Sequence, residues 1–129
     1  MLEKQYMIKM ERFYLIKWIS KIWKRVDYME NAFVIIVGII LCILGTTNIK
    51  GNISSIHWYN RTKVKPEDVK KYGKAVGTGT LVIGISIIIS NVLYMIFDNE
   101  IFMSITLVGV IIGLAFMLYG QFKYNKGIF

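Results

Sequence analysis

The chain has 129 residues, 55% of them hydrophobic, and a formal net charge of +8. A mean hydropathy of +0.51 is high for a soluble domain of ordinary composition. One cysteine, Cys42, excludes an intrachain disulfide. The basic residues flank apolar runs, which points to membrane topology and away from nucleic acid as a partner.

Residues 1–31 are a basic, aromatic leader. From Leu15 the spacing predicts an amphipathic helix lying on a membrane surface. Leu15, Ile19, Ile22, Val26 and Met29 recur at i+3/i+4, with Lys17, Lys21 and Lys24 opposite and Trp18 and Trp23 flanking the stripe. Before Leu15 the stripe drifts, because Tyr6, Met10 and Phe13 fall on the other face, so the plainer reading is a loosely ordered leader. A third reading takes Met29 as the native start. Residues 24–28 are compatible with a purine-rich ribosome-binding sequence, and the charge balance is cleaner without the leader.

The segment 32–49 is the first expected span, 18 uncharged residues that make about 27 Å of helix. Gly38, Cys42 and Thr46 repeat at i+4 and give one face small side chains. The loop 50–74 is the one long polar stretch between apolar runs. Pro66 followed by Glu67 and Asp68 predicts a helix start that runs through Val69 and Tyr72 into the next span. That second span is 75–97; Asp98, Asn99 and Glu100 form a short turn, and 101–122 is the third span. So short a turn makes the second and third helices antiparallel neighbours. The expected fold is therefore all-α: three transmembrane helices, the last two a tight hairpin, with an N-terminal interfacial helix.

With three spans, the leader shares a side with the turn at 98–100, and the basic loop shares a side with the tail. Lys and Arg then number seven against nine with the leader included, and none against nine from Met29 onward. The positive-inside rule places the loop and the C terminus in the cytoplasm and the acidic turn outside. In the competing layout 32–49 is re-entrant or surface-lying, and only a two-span hairpin crosses.

From about Met29 the chain resembles a family of small membrane proteins of Gram-positive bacteria known as domain of unknown function 3784. The residues that carry the resemblance are Ile56-His57-Trp58-Tyr59-Asn60, Val64 through Glu67-Asp68, Tyr72-Gly73-Lys74, and Gly77 at the entry to the second span. The resemblance implies a first span near the N terminus, a basic loop, a helical hairpin and a bacterial plasma-membrane location. It implies no activity.

The candidate contact residues for anionic lipid or a partner are His57, Trp58, Tyr59, Asn60, Arg61, Lys63, Lys65, Lys70, Lys71 and Lys74. His57 is the only histidine, and one histidine without neighbours of ligand type does not make a zinc site. Its plain reading is an interfacial residue beside two aromatic rings. The basic cluster reads first as a topology determinant and second as a holder of anionic lipid. The candidate helix-packing residues are Gly38, Gly77, Gly84, Asn91, Thr106, Gly109 and Gly113, with a hydrogen bond expected between Asn91 and Thr106. Small-xxx-small spacings such as Gly73-xxx-Gly77 and Gly109-xxx-Gly113 leave open whether the partner helix is in the same chain, in a second copy or in a larger membrane protein.

No Asp, Glu, Lys, Arg or His lies in any expected span, which argues against a proton relay or ion-coupled carrier. Nucleophile–base pairs, phosphate loops and paired carboxylates are absent from the sequence, so no catalytic residue, cofactor or metal is assigned. The leading expectation is a non-enzymatic integral membrane protein, an accessory, regulatory or immunity-type subunit; the alternative is a small oligomeric transporter or pore.

Overall fold

The structure is a computed structural model that describes residues 1–127. It is all-helical, with no strand among the described residues. Its three α-helices are α1 (Leu2–Ile49), α2 (Val69–Phe97) and α3 (Met103–Tyr124). All three are long and apolar enough to cross a membrane. The chain divides into two compact units, Met1–Phe33 and the segment from Val34 onward.

In the first unit the backbone is helical from Leu2, without the frayed start that the drifting stripe suggests. No glycine or proline precedes Gly38, so nothing in the leader interrupts the hydrogen-bond ladder. The boundary expected at residue 31 is therefore not a helix end. Nearly every side chain of this unit is exposed, including Trp18 and Trp23.

The second unit has α2 at its centre. α1 stops in a Schellman turn: Gly51 N donates to Asn48 O at 2.9 Å and Asn52 N to Thr47 O at 3.2 Å. Gly51 has φ +94° there, a left-handed conformation in which a side chain is strained. Two short 3-10 turns follow, Trp58–Arg61 and Pro66–Asp68, and the second feeds straight into α2. Pro66 opens that turn and the Glu67 and Asp68 carboxylates sit at the positive end of the helix dipole. α2 ends at Phe97, with Asp98 left-handed (φ 49°) and its N–H donating to Tyr94 O. Asn99 then caps a 3-10 turn, Glu100–Phe102, by accepting from Ile101 N at 3.0 Å. The connection is thus longer than the three residues expected, and α3 begins at Met103 rather than at residue 101.

α2 packs through glycine on two nearly opposite faces. Toward α1, a Cβ placed on Gly45 would lie 2.7 Å from Leu81 N, and one on Gly77 would lie 2.6 Å from Gly45 O. A Cβ on Gly84 would lie 2.8 Å from both Cys42 Sγ and Gly38 O. A Cβ on Gly73 would run into Asn48 O. Toward α3, a Cβ on Gly79 would strike Gly113 O, one on Gly109 would strike the Ser86 side chain, and one on Gly120 would lie 3.1 Å from Val76 Cγ2. Along both faces, residue numbers fall on one helix as they rise on the other. The small residues let backbones meet where no larger side chain fits, which is how helices associate when lipid supplies no hydrophobic drive between them.

Candidate functional site

The polar chemistry of the second unit gathers where the loop after α1 folds over the helix ends. Three side chains hold the loop there, one from each helix region. Asn48, buried near the end of α1, accepts from Ser55 Oγ at 2.7 Å. Tyr72, in the first turn of α2 and 0% exposed, lies with its Oη 2.6 Å from Asn60 O and 3.1 Å from the Gln121 side-chain amide. Asn125, buried just past α3, accepts from Lys63 N at 3.0 Å. A phenol has one proton, and the shorter contact takes it to the Asn60 carbonyl. The Gln121 amide then completes the group by turning its NH2 toward Oη, since its oxygen and nitrogen exchange places by a flip. Leaving such a buried group without its partner costs about 1–3 kcal/mol, so each staple resists release of the loop.

Held this way, the turn Trp58–Arg61 presents two exposed rings and one cation. His57 caps it, Nδ1 accepting from Tyr59 N at 3.4 Å, and Asn60 N donates to His57 O at 2.9 Å. His57 is exposed and serves the local backbone. Trp58 is 69% and Tyr59 51% exposed. Asn60 contributes its backbone carbonyl to Tyr72. Arg61 is half-buried, and its Nε is enclosed without a hydrogen-bond partner. Burial pushes the Tyr72 phenol up from its ordinary value, and the Arg61 charge opposes that rise. Lys65 pairs with Glu67 at 3.7 Å and Lys71 with Asp68 at 3.1 Å, both on the surface, while Lys70 and Lys74 are exposed on the first turns of α2. Exposed pairs of this kind contribute little stability.

The packing candidates fall as follows. Gly38, Gly77 and Gly84 lie on the α1–α2 side, and Gly109 and Gly113 on the α2–α3 side. The expected bond between Asn91 and Thr106 does not form. Asn91 is buried but donates to Ile87 O of its own helix at 2.9 Å. Thr106 Oγ1 instead donates to Ser90 Oγ at 2.7 Å. The reason is angular. Asn91 stands eighteen positions, five full turns, beyond Gly73. It therefore belongs to the stripe that faces α1, and its predecessor Ser90 faces α3.

Sequence reasoning passed over Asn48, Tyr72, Gln121 and Asn125 as site residues. Their signal was weak: single polar residues at helix ends are common, and nothing in their spacing pairs them. Among the described residues, no three His, Cys, Asp or Glu side chains come together as a metal site. No protein-family model matches the chain, and neither a curated protein nor a solved structure shows significant similarity to it.

Proposed function

We propose that the chain is a multi-pass integral membrane protein that acts without catalysis, as an accessory, regulatory or immunity-type subunit working through its packed helices and its basic loop. The observation that carries this reading is the pairing of two features in one unit. One is a glycine-packed bundle whose outward faces are apolar, with Ile85, Ile89, Leu107, Ile111 and Leu118 all exposed. The other is a polar loop stapled to the ends of all three helices, which holds Trp58, Tyr59 and a set of cations in a fixed arrangement.

In this reading α2 and α3 cross the bilayer as an antiparallel hairpin and the apolar part of α1 crosses beside them. The loop and the C terminus face the cytoplasm of a bacterial cell, as the nine cations on that side against an acidic turn at 98–100 favour. The leader continues α1 out of the apolar segment, and its lysines suit anionic lipid and its tryptophans the headgroup level where the helix leaves the bilayer. The likeness to domain of unknown function 3784 concerns this architecture.

Cysteine accessibility in intact cells tests the reading. Cys42 is replaced by Ser, and single cysteines are placed by Ser55→Cys and Asn99→Cys. An impermeant maleimide is expected to label position 99 in intact cells and position 55 only after permeabilisation. The reverse pattern would invert the protein and remove the cytoplasmic role of the loop.

A further inference from the structure

We infer that Arg61 is the seat for the phosphate of an anionic lipid headgroup. The inference rests on the membrane reading above and sharpens it to one residue and one ligand chemistry.

Arg61 is half-buried, and its Nε has no hydrogen-bond partner. Among the described residues no carboxylate pairs with it, because the two acids of the loop are engaged elsewhere, Glu67 with Lys65 and Asp68 with Lys71. Its enclosed Nε is out of reach of a ligand, and the partly exposed remainder of the guanidinium still offers its two Nη groups as a planar fork of donors. That fork matches the oxygens of a phosphate, to which it donates two parallel bonds.

The position of Arg61 is fixed from both sides. The carbonyl just before it, Asn60 O, accepts from Tyr72 Oη, and two residues after it Lys63 N donates to Asn125 Oδ1. Val64 N closes the turn on Arg61 O at 3.3 Å. A ligand therefore meets a cation already held in place, with little ordering left to do on binding.

A lipid phosphate fits better than a soluble one because of the company Arg61 keeps. Trp58 and Tyr59 stand in the same 3-10 turn, and both rings are exposed. Amphipathic rings of this kind settle at headgroup level, the depth of the lipid phosphates. The loop also joins two apolar helices, α1 and α2, so the turn cannot be far from the membrane boundary.

The test uses the full chain in mild detergent, with native mass spectrometry read for bound phosphatidylglycerol and for phosphatidylcholine of the same acyl chains. Arg61→Gln is expected to lower the phosphatidylglycerol-bound share about tenfold relative to unmodified protein. Arg61→Lys should retain only part of it, since an ammonium offers no fork. Lys50→Gln, which removes an exposed cation of the same loop outside the candidate contact set, should change it little, and excess inorganic phosphate should leave the lipid bound.

Unchanged lipid binding in Arg61→Gln would overturn the assignment. So would equal retention of phosphatidylcholine, or full displacement by inorganic phosphate, which would give the site to a soluble anion. Circular dichroism checks that each variant is folded, and Arg61→Lys carries the comparison if the glutamine variant is not. Failure of the membrane reading shows separately, as release of the chain from membranes by alkaline carbonate.

Discussion

The two faces of α2 are built differently. Toward α1 the contact is backbone on backbone: Gly45 against Gly77 and Leu81, Gly84 against Gly38 and Cys42, Gly73 against Asn48. Among the described residues no side-chain hydrogen bond joins the two helices there. Toward α3 the same device recurs at Gly79 and Gly113, but a hydroxyl pair, Ser90 and Thr106, is added, and Ser90 also reaches Met103 Sδ at 3.7 Å. The α1 face depends on the absence of side chains, so it has no tolerance for added atoms. The α3 face has a second means of recognition and keeps part of its contact if one is lost. Both faces exclude an added methyl through backbone contact, but α1 has no hydroxyl pair to hold it once that close approach is lost.

That difference can be broken directly. Gly77→Ala places a methyl 2.6 Å from Gly45 O and 2.7 Å from Ile49 N, two backbone atoms that can give way only if the helices part. We expect a loss of about 3 kcal/mol, the upper part of the usual cost of overpacking, measured by detergent-induced unfolding in mixed micelles. A loss below about 1 kcal/mol would mean that α1 is not packed so closely.

Tyr72→Phe attacks the end where both faces meet the loop. It leaves the Asn60 carbonyl and the Gln121 amide without their shared hydroxyl, at an expected cost of about 2 kcal/mol in the same assay. Faster proteolysis within the loop should accompany it. A variant as stable and protease-resistant as the parent would remove Tyr72 from its central place.

Gly51→Ala tests the turn that returns the chain from α1. A Cβ there meets nothing closer than 3.8 Å, so only the left-handed backbone is strained, and the expected cost is about 1 kcal/mol. Thr106→Val should have the smallest effect. It removes the hydroxyl link to Ser90 and keeps the shape, for about 0.6 kcal/mol, the average for such bonds between membrane helices. A larger effect there than at Gly77 would reverse the ranking of the two faces.

Much of this architecture was legible in the sequence because lipid-crossing helices must be long and uncharged, and three runs met that condition. The ends were less legible. Nothing between Met1 and Gly38 breaks a helix, so the polarity change near residue 31 marks a change of surroundings and leaves the backbone helical. At the turn, Asn99 winds the next three residues into a 3-10 helix, a choice made by one side-chain cap that composition does not announce.

An i+4 spacing finds residues that share a face and does not say which neighbour the face meets. Gly79 falls outside those repeats yet sits at a contact as tight as the rest, and Gly120, also outside them, meets α2 more loosely at 3.1 Å. Depth along the helix pairs Asn91 with Thr106, but a shift of one position turns a side chain through about 100°, enough to move the bond to Ser90. The polar staples joining residues far apart in sequence, Asn60 with Tyr72 and Gln121, Lys63 with Asn125, appear only once the helices are in register.

Oxidative cross-linking in native membranes tests most directly whether α2 is held on both faces within one chain. Leu81→Cys brings a sulfur near the native Cys42 without adding bulk at a glycine, since Leu81 N lies 2.7 Å from a Cβ placed on Gly45 and Cys42 Sγ borders Gly84, each one turn away. Ser90→Cys with Thr106→Cys, in a chain with Cys42→Ser, replaces a hydroxyl pair 2.7 Å apart on the other face. Both pairs should yield a cross-linked monomer on mild oxidation. If the second pair closes within the chain but the first gives only dimers or free thiols, α1 does not pack on α2 and the two-faced bundle is wrong.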